Sequence, residues 1–395
     1  MNYDFTSLSD RRSMGSLKYY YTDQWNPDLD EDVVPLSTAD MEFKNAPEVI
    51  EGLKNYLDET VLGYTMAGHA YYDSIQSWMK RRHQWDIEME WIVPVPGIVT
   101  AIHLALEAFT QPGDGVIIFR PVYHQFGLMV ESDRRKEVNV PLIEKGEGHY
   151  EIDFDLFEKE ASKAENKMLI FCSPHNPVGR VWTKEELKKV DEISRKHDLI
   201  VVCDEIWHDI TFEGQEHTAY PTVSSQAADN VIVCTSVSKT FSLAAINTSN
   251  IIIPDEVLRQ TFADKVSQGH YAVNAFGYKA TELAYNHAEG WLDAVNEVIW
   301  ANHYFLVDYF KEHLPKVKAY VPEGTYVSWI DFRELGLGNR ELEKLVHEEA
   351  QFMTNHGRIF GEEGAGFERA NIALPQNNLE VQLERLVKVL KGNGF

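Results

Sequence analysis

The middle of the chain alternates short, continuously apolar segments with segments of helical spacing. The apolar segments are VIIF (116–119), MLIFCS (168–173), LIVVCDE (199–205) and VIVCTSVS (231–238). Apolar runs without polar alternation are typical of strands in a sheet that is covered on both faces. Between two of them, residues 184–197 have helical spacing, and Thr183 with Glu186 has the pattern of a capping box. Strands separated by helices predict βαβ units, and hence an α/β fold with a mostly parallel central sheet flanked by helices.

The pattern changes in the last part of the chain. A long helical stretch begins at Trp291, the run YVSWIDF (326–332) alternates like a half-buried strand, and further helices are predicted from Asn339 and over 379–390. A chain of 395 residues is longer than one compact domain usually is. We therefore predict a large domain over residues 46–288 and a smaller α+β domain built from both chain ends, residues 1–45 and 289–395.

Charge and cysteine usage exclude several classes of protein. The formal net charge is -25, which argues against a nucleic-acid-binding face and against attraction to an anionic membrane. The three cysteines, Cys172, Cys203 and Cys234, lie at or near the ends of apolar runs, which favours buried thiols over disulfides. We find no zinc-ligand spacing, no bilayer-spanning run and no signal-peptide core in residues 1–12, so we expect a cytoplasmic protein without a metal.

Polar side chains follow the predicted strands where each strand ends. They are Asn176, Asp204, Ser236, Ser238 and Lys239. Each has an ordinary explanation when taken alone: a surface lysine, a strand-end acid, a turn residue before proline, and two helix-capping serines. Ligands of open parallel sheets bind outside the carboxyl ends of the strands. The combination on consecutive strand ends therefore favours a ligand site.

These residues lie in motifs that resemble a known family. The order SPHNPVGR, VCDEIW, SVSKTF and GFERANIALP resembles the fold-type I enzymes that use pyridoxal 5′-phosphate (PLP), the aspartate aminotransferase superfamily. The segments STADMEFKNAPEVIEGL, ETVLGYT, KRRHQWDIEMEWIV, FTQPGDGVIIFRPVY and SNIIIP are similar to the cystathionine β-lyase group, which includes cystalysin-like C–S lyases. The resemblance covers nearly the whole chain.

The resemblance implies a role for each residue of the cofactor site. Lys239 is expected to hold PLP as a Schiff base and to act as the general base. Asp204 is expected to keep the pyridine nitrogen protonated, and Asn176 to donate to the phenolate oxygen. The phosphate is expected on Ser236, Ser238 and the backbone amides of Gly97, Ile98 and Val99, where the segment PGIVTAIHLALEAF enters a predicted helix.

Further roles concern the substrate and a second subunit. Tyr123 is expected to stack on the cofactor ring, and Tyr64 to reach the phosphate of a neighbouring subunit, which implies a homodimer with shared active sites. Arg369 is expected to bind the substrate α-carboxylate through two parallel hydrogen bonds. The resemblance places Asn176, Tyr123 and Ala39 at the substrate as well.

Four positions depart from the pattern of the group. Trp207 stands where histidine or tyrosine is usual, although its indole N–H can still donate to the cofactor. His124 stands where a second tyrosine or a proline is common, and Ser242 where asparagine is usual. Asn247 replaces an arginine that binds phosphate in many aminotransferases, and this departure favours a lyase.

Three functions are compatible with the motifs. The first is a C–S β-lyase of amino-acid metabolism that cleaves cystathionine or related cysteine thioethers to pyruvate, ammonia and a thiol. In that reaction Tyr123, Lys239 or Tyr64 of the partner subunit protonates the leaving thiolate. The second is a class I/II aminotransferase with the same core residues. The third is a protein that keeps this fold for binding or regulation, against which the intact Lys239, Asp204, Asn176 and Arg369 argue.

Overall fold

The structure is a computed structural model that describes residues 3–212 and 214–395. Its helices are α1 Leu17–Trp25, α2 Pro47–Glu59, α3 His69–His83, α4 Ile98–Phe109, α5 Gln125–Ser132, α6 Phe154–Ala161, α7 Lys184–Lys196, α8 Val237–Thr240, α9 Glu256–Gln268, α10 Ala275–His287, α11 Glu289–His313, α12 Asn339–Glu343 and α13 Gln376–Gly392. Its strands are β1 Ile92–Val95, β2 Gly115–Ile118, β3 Lys136–Asn139, β4 Ile143–Gly146, β5 His149–Glu151, β6 Asn166–Cys172, β7 Ile200–Asp204, β8 Val231–Thr235, β9 Ser249–Ile252, β10 Lys318–Ala319, β11 Val327–Asp331, β12 Asn355–His356 and β13 Phe367–Asn371.

Seven strands form the central sheet in the order β1-β9-β8-β7-β6-β2-β3. The strands from β8 to β3 pair in parallel, and β9 is antiparallel to both of its neighbours. The predicted α/β fold with a mostly parallel sheet is therefore confirmed.

One predicted strand was too long. VIVCTSVS ends as a strand at Thr235, because the Ser236 hydroxyl accepts a hydrogen bond from the Ser238 backbone N–H (3.1 Å) and caps α8. The helix-capping explanation is thus correct for Ser236. The consequence is that Ser238 and Lys239 project from a helical turn at the end of the strand.

The two faces of the sheet bury alternate residues of each strand. In β6, Met168 and Ile170 pack in the cluster with α4 and α9, whereas Leu169 and Phe171 pack in the cluster that contains α7. Both sets are fully buried. This double burial is the reason why the strands are continuously apolar in sequence. The capping box at Thr183 and Glu186 is present and starts α7.

A second, antiparallel sheet is formed late in the chain in the order β10-β11-β13-β12. The early chain joins it: the Leu36 backbone N–H donates to Met353, and the Asn371 N–H donates to the Leu36 carbonyl. After α12, the chain widens into a π-helical turn over residues 344–349. The domain boundaries at residues 45/46 and 288/289 stay a prediction. The three cysteines are free and buried, as expected. In the described part of the chain, no helix combines the length and apolar character needed to cross a membrane.

A buried carboxylate, Asp209, ties the helices to the sheet. It accepts hydrogen bonds from Trp78 Nε1 (3.1 Å) and Thr240 Oγ1 (2.7 Å), and His83 Nε2 lies 2.8 Å from its Oδ1. Burial opposes its ionisation, but the nearby His208 and these hydrogen bonds keep the pKa of Asp209 well below its ordinary value. Asp209 therefore holds α3 and α8 to the end of β7 as a permanent anion.

We expect Asp209→Ala to lower the free energy of unfolding by about 3 kcal/mol, because it leaves the buried donors of Trp78 and Thr240 without their acceptor. The matched control is Asp293→Asn, which removes a carboxylate 3.0 Å from Arg82 that is 58% exposed. That change should cost less than about 1 kcal/mol. Urea unfolding followed by far-UV circular dichroism measures both values. Equal costs for the two variants would contradict the role of Asp209.

Candidate active site

A cavity of about 270 Å³ lies at the carboxyl ends of β6, β7 and β8. Polar residues from all three strand ends line it, as expected for a parallel sheet. The predicted site residues that line the cavity are Ala39, Ile98, Val99, Tyr123, Asn176, Asp204, Trp207, Ser238, Lys239 and Arg369. One cavity thus brings together most of the residues that the sequence singled out.

The Lys239 side chain lines this cavity and is partly buried. Its Nζ donates to the Ala39 carbonyl (2.5 Å), which also accepts from the Tyr326 hydroxyl (2.9 Å). Burial lowers the pKa of Lys239 to about 8. About a tenth of this amine is therefore uncharged at pH 7, far more than of an ordinary lysine, and this fraction can act as a nucleophile or a base.

The Asp204 carboxyl is buried, and no cation forms an ion pair with it among the residues that the structure describes. Its Oδ1 accepts from the backbone N–H of Ile206 (3.1 Å). Burial raises the pKa of Asp204 to about 7, although Lys239 pulls it in the opposite direction. A carboxyl group in this state gains strongly from a cationic hydrogen-bond donor placed against it.

Arg369 supplies a buried guanidinium at the other end of the cavity. Its Nη2 donates to the Ser37 carbonyl (2.7 Å) and to Asn355 Oδ1 (2.6 Å), and its Nη1 donates to Asn176 Oδ1 (3.2 Å). Within residues 3–212 and 214–395, no carboxylate forms an ion pair with Arg369, and its Nε lacks a hydrogen-bond partner. Burial lowers the pKa of Arg369 to about 10, so it stays charged at neutral pH and is suited to an anionic ligand.

Asn176 is oriented by this contact. Because its Oδ1 accepts from Arg369, the Nδ2 end of the amide is the one that can donate to a ligand. The segment from His175 to Arg180 turns back on itself, because the His175 N–H donates to the Arg180 carbonyl (2.8 Å). The amide is therefore fixed at the end of β6.

The start of α4 offers backbone N–H groups to the cavity. Ile98 and Val99 lie in the cavity wall, and Gly97 precedes them with φ +93°, a conformation that favours glycine. A Cβ at Gly97 would lie 2.9 Å from Asn247 Oδ1. The Ser238 hydroxyl lies in the same wall, so an anion there would meet amides at a helix N-terminus and a hydroxyl.

Three predicted residues do not line this cavity. The Ser236 hydroxyl donates to the Thr248 carbonyl (2.6 Å) and contacts Ser238, so it supports the wall from behind. Gly97 caps α4 beside the cavity. Tyr64 is fully exposed and contributes nothing to the cavity of its own chain.

Several cavity residues were not assigned a role in the sequence. Asn355 fixes Arg369, and Thr38, Ile102, Cys172, Ile206 and Ala244 also line the cavity. Asn355 lies on β12, a strand of two residues without an apolar run, so no periodic signal marks it. His124, noted in the sequence only as a departure, also lines the cavity.

Comparison with known proteins gives consistent matches. Residues 31–386 match the family model "Aminotransferase class I and II". The chain is 37% identical to the cystathionine β-lyase PatB of Bacillus subtilis over 360 residues, 91% of this chain and 93% of that protein. The crystal structure of cystalysin from Treponema denticola, which contains pyridoxal 5′-phosphate, has a TM-score of 0.98 at 45% identity and covers 100% of both chains. A PLP-bound C–S lyase from Staphylococcus hominis has a TM-score of 0.91 at 30% identity and covers 99% of this chain and 98% of its own.

The residues of this cavity fit that cofactor. The carboxyl of Asp204 needs a cationic donor, which a protonated pyridine nitrogen supplies. The partly buried Lys239 amine has a lowered pKa, and the amides of Ile98 and Val99 with the Ser238 hydroxyl suit a phosphate.

We expect Asp204→Asn to stabilise the apoprotein and to weaken cofactor binding. The pKa of about 7 in the folded protein exceeds the ordinary value of 3.8, so ionisation of Asp204 destabilises the fold progressively between these two pH values. Apo Asp204→Asn should therefore melt a few degrees above apo wild type at pH 8 and equally at pH 4.

With the cofactor bound, the order should reverse at pH 8, because only the carboxylate pairs with a protonated ring nitrogen. The dissociation constant for PLP should rise at least about tenfold. Melting curves of both forms and a fluorescence titration with PLP measure these effects. A variant that is equally stable at both pH values in the apo form would contradict the raised pKa.

Proposed function

This chain belongs to the class I and II aminotransferase family, in its group of carbon–sulfur lyases, and from that premise we propose that its cavity accepts cystathionine or related cysteine thioethers. The chain is a PLP-dependent C–S β-lyase. Its products are pyruvate, ammonia and a thiol. One cavity carries the assignment of roles: it is lined by the partly buried amine of Lys239, the buried carboxyl of Asp204 and the buried guanidinium of Arg369.

Lys239 is the residue that moves the Cα proton. When bound, pyridoxal phosphate withdraws electrons from the substrate Cα, which makes its proton acidic and allows a Cβ substituent to leave. The Lys239 amine, with its pKa of about 8, is sufficiently uncharged at neutral pH to accept that proton. Its hydrogen bond to the Ala39 carbonyl holds Nζ in position.

Arg369 orients the substrate. Its guanidinium supplies the positive charge for the α-carboxylate, and Asn355 and Ser37 accept hydrogen bonds from Nη2 and hold the plane of the guanidinium fixed. Binding the carboxylate also gives a counter-charge to a cation that the described residues leave unpaired. Asn176 links this end of the cavity to the cofactor end, because the same amide contacts Arg369 and faces the site.

Tyr123 contributes an aromatic wall and a hydroxyl that stays protonated. It lies in the cavity between Asp204 and Arg369, and burial raises the pKa of Tyr123 above its ordinary value. The ring is placed to cover the flat cofactor. Its phenol and the ammonium formed at Lys239 are the two groups of this chain that can return a proton to a leaving thiolate.

We propose that the protein is a homodimer in which Tyr64 completes the site of the partner. The segment from α2 to α3 carries Val61, Leu62, Tyr64 and Met66, which are between 64% and 113% exposed. Contiguous apolar side chains at such exposure are typical of a covered interface. A symmetric dimer would cover them and bring Tyr64 to a second cavity.

Cellular location and domain division complete the proposal. We propose a cytoplasmic enzyme, consistent with its three reduced, buried cysteines and its acidic charge. We also propose that residues 46–288 form the cofactor domain and that residues 1–45 with 289–395 form the smaller domain. The contacts of Leu36 with Met353 and Asn371 support a smaller domain formed from both ends.

The lyase assignment predicts steady pyruvate release from L-cystathionine alone. Purified wild type should produce pyruvate without an added keto acid, and Lys239→Ala should reduce the rate at least about 1,000-fold because no base remains at Cα. A coupled lactate dehydrogenase assay measures the rate. Product formation only after a keto-acid acceptor is added would instead indicate an aminotransferase.

Shared active sites predict complementation between two defective variants. Tyr64→Ala and Lys239→Ala should each be weakly active or inactive. Refolding an equal mixture should restore about a quarter of the wild-type rate, because half of the dimers are mixed and each mixed dimer has one intact site. The control is refolded Tyr64→Ala alone. Absence of recovery, with dimers shown by light scattering, would mean that Tyr64 does not act across the interface.

A further inference from the structure

His124 lines the cavity but has no role in the proton transfers or the substrate binding of the proposed reaction. It follows Tyr123 and lies at the Arg369 end of the cavity. Its ring is 5.1 Å from the ring of Tyr123 and 6.1 Å from that of Phe360, and the Arg369 guanidinium lies 4.8 Å above Phe360. His124 therefore borders the place where the substrate, rather than the cofactor ring, is held.

The tautomer of His124 follows from its neighbour. The side-chain amide of Gln125 donates through Nε2 to His124 Nε2 (3.0 Å), so this ring nitrogen is the acceptor. The proton of the neutral imidazole is then on Nδ1. That atom is buried and has no hydrogen-bond partner in the part of the chain that the structure describes.

The imidazole is uncharged under working conditions. Burial, and after it the charges of Arg369 and Arg120, lower the pKa of His124 to about 4. A neutral imidazole is a hydrogen-bond donor but a very weak acid. It can therefore stabilise a nearby anion without giving up its proton, and the two guanidinium groups favour an anion at the same end of the cavity.

Among the residues of the cavity wall, two buried side-chain nitrogens lack a partner: His124 Nδ1 and Arg369 Nε. A buried donor without an acceptor is costly, and an acceptor from a ligand removes that cost. Arg369 receives the α-carboxylate. Apart from the carboxylate, the substrate atoms that can accept a hydrogen bond at this end of the cavity belong to the Cβ substituent.

We propose that His124 recognises the leaving group, and that its Nδ1–H donates a hydrogen bond to the sulfur as the C–S bond breaks. This inference rests on the proposed lyase function. The C–S bond breaks with its electron pair remaining on sulfur, while the Cα proton is held by Lys239. His124 keeps its own proton, and the thiolate is neutralised by the proton that Lys239 has taken. This hydrogen bond therefore assists substrates that release a thiolate more than substrates whose leaving group departs without a donor.

The test compares two substrates that differ in their need for assistance. L-cystathionine releases a thiolate, whereas β-chloro-L-alanine releases chloride, which departs without a hydrogen-bond donor. In His124→Phe, kcat/KM should fall about tenfold for cystathionine, the effect of losing one hydrogen bond in the transition state, and less than about twofold for β-chloro-L-alanine. In His124→Asn, whose amide nitrogen can occupy the place of Nδ1, most of the cystathionine activity should be retained.

A binding measurement separates this role from a structural one. The affinity for L-alanine, which has no leaving group, should be unchanged within about twofold in both variants, as measured by titration of the cofactor absorbance. Equal losses for both reactive substrates, no loss for either, or a parallel loss of L-alanine binding in His124→Phe would each overturn the proposal. Failure of the wild type to release pyruvate from either substrate would overturn the lyase function and this inference together.

Discussion

The parallel pairing of β6, β7 and β8 is the constraint on which the active site depends. The pairing aligns Cys172 with Asp204 and Asp204 with Cys234, so the three strands end at the same level. One capped helical turn after β8 then presents Lys239 to the same cavity as Asp204. The apolar packing around the strand ends desolvates both groups, and desolvation shifts both pKa values toward the neutral forms. The chemistry of the lysine is therefore a consequence of how the strands are covered.

The cavity leaves three ionisable groups in states that the rest of the fold must stabilise. Asp204 and Arg369 lack ionised partners of opposite charge in direct contact within the described residues, and Lys239 meets a backbone carbonyl. Asp209 shows the opposite solution a few residues away: an equally buried carboxylate that is fully hydrogen-bonded and permanently charged. The contrast separates the two acids by function, because a saturated carboxylate can hold helices together but has no free capacity for a ligand. The unsaturated one is suited to a cofactor.

The sequence predicts those parts of the site that depend on regular structure. The strands β6 and β7 are continuous apolar runs, so their ends, and with them Asn176 and Asp204, can be located without a structure. The predicted end of β8 was too late, because the run VIVCTSVS continues past Ser236 while the Ser236 hydroxyl caps α8 and so ends the strand. Asn355 was missed because it enters the cavity from a two-residue strand, and its contact with Arg369 joins positions that no local pattern relates. Tyr64 is exposed and does not line the cavity of its own chain, so neither a sequence pattern nor a single chain assigns it to a site.

The departures from the family pattern acquire physical meaning from their contacts. Ser242 accepts a hydrogen bond from the Met41 N–H (2.9 Å) in a left-handed conformation (φ +53°), and so holds the segment whose Ala39 carbonyl receives Lys239. The Asn247 side chain lies over Gly97 at the start of α4, so close that a Cβ at Gly97 would be 2.9 Å from Asn247 Oδ1. Trp207 packs edge-on against Tyr326 (4.6 Å), the other donor to Ala39. These three substitutions therefore support the walls that hold Lys239 and the α4 amides. Of the four departures, His124 is the one whose buried ring nitrogen Nδ1 lacks a partner among the described residues at the substrate end of the cavity. We therefore expect substitutions at this position to change selectivity for the leaving group rather than cofactor binding.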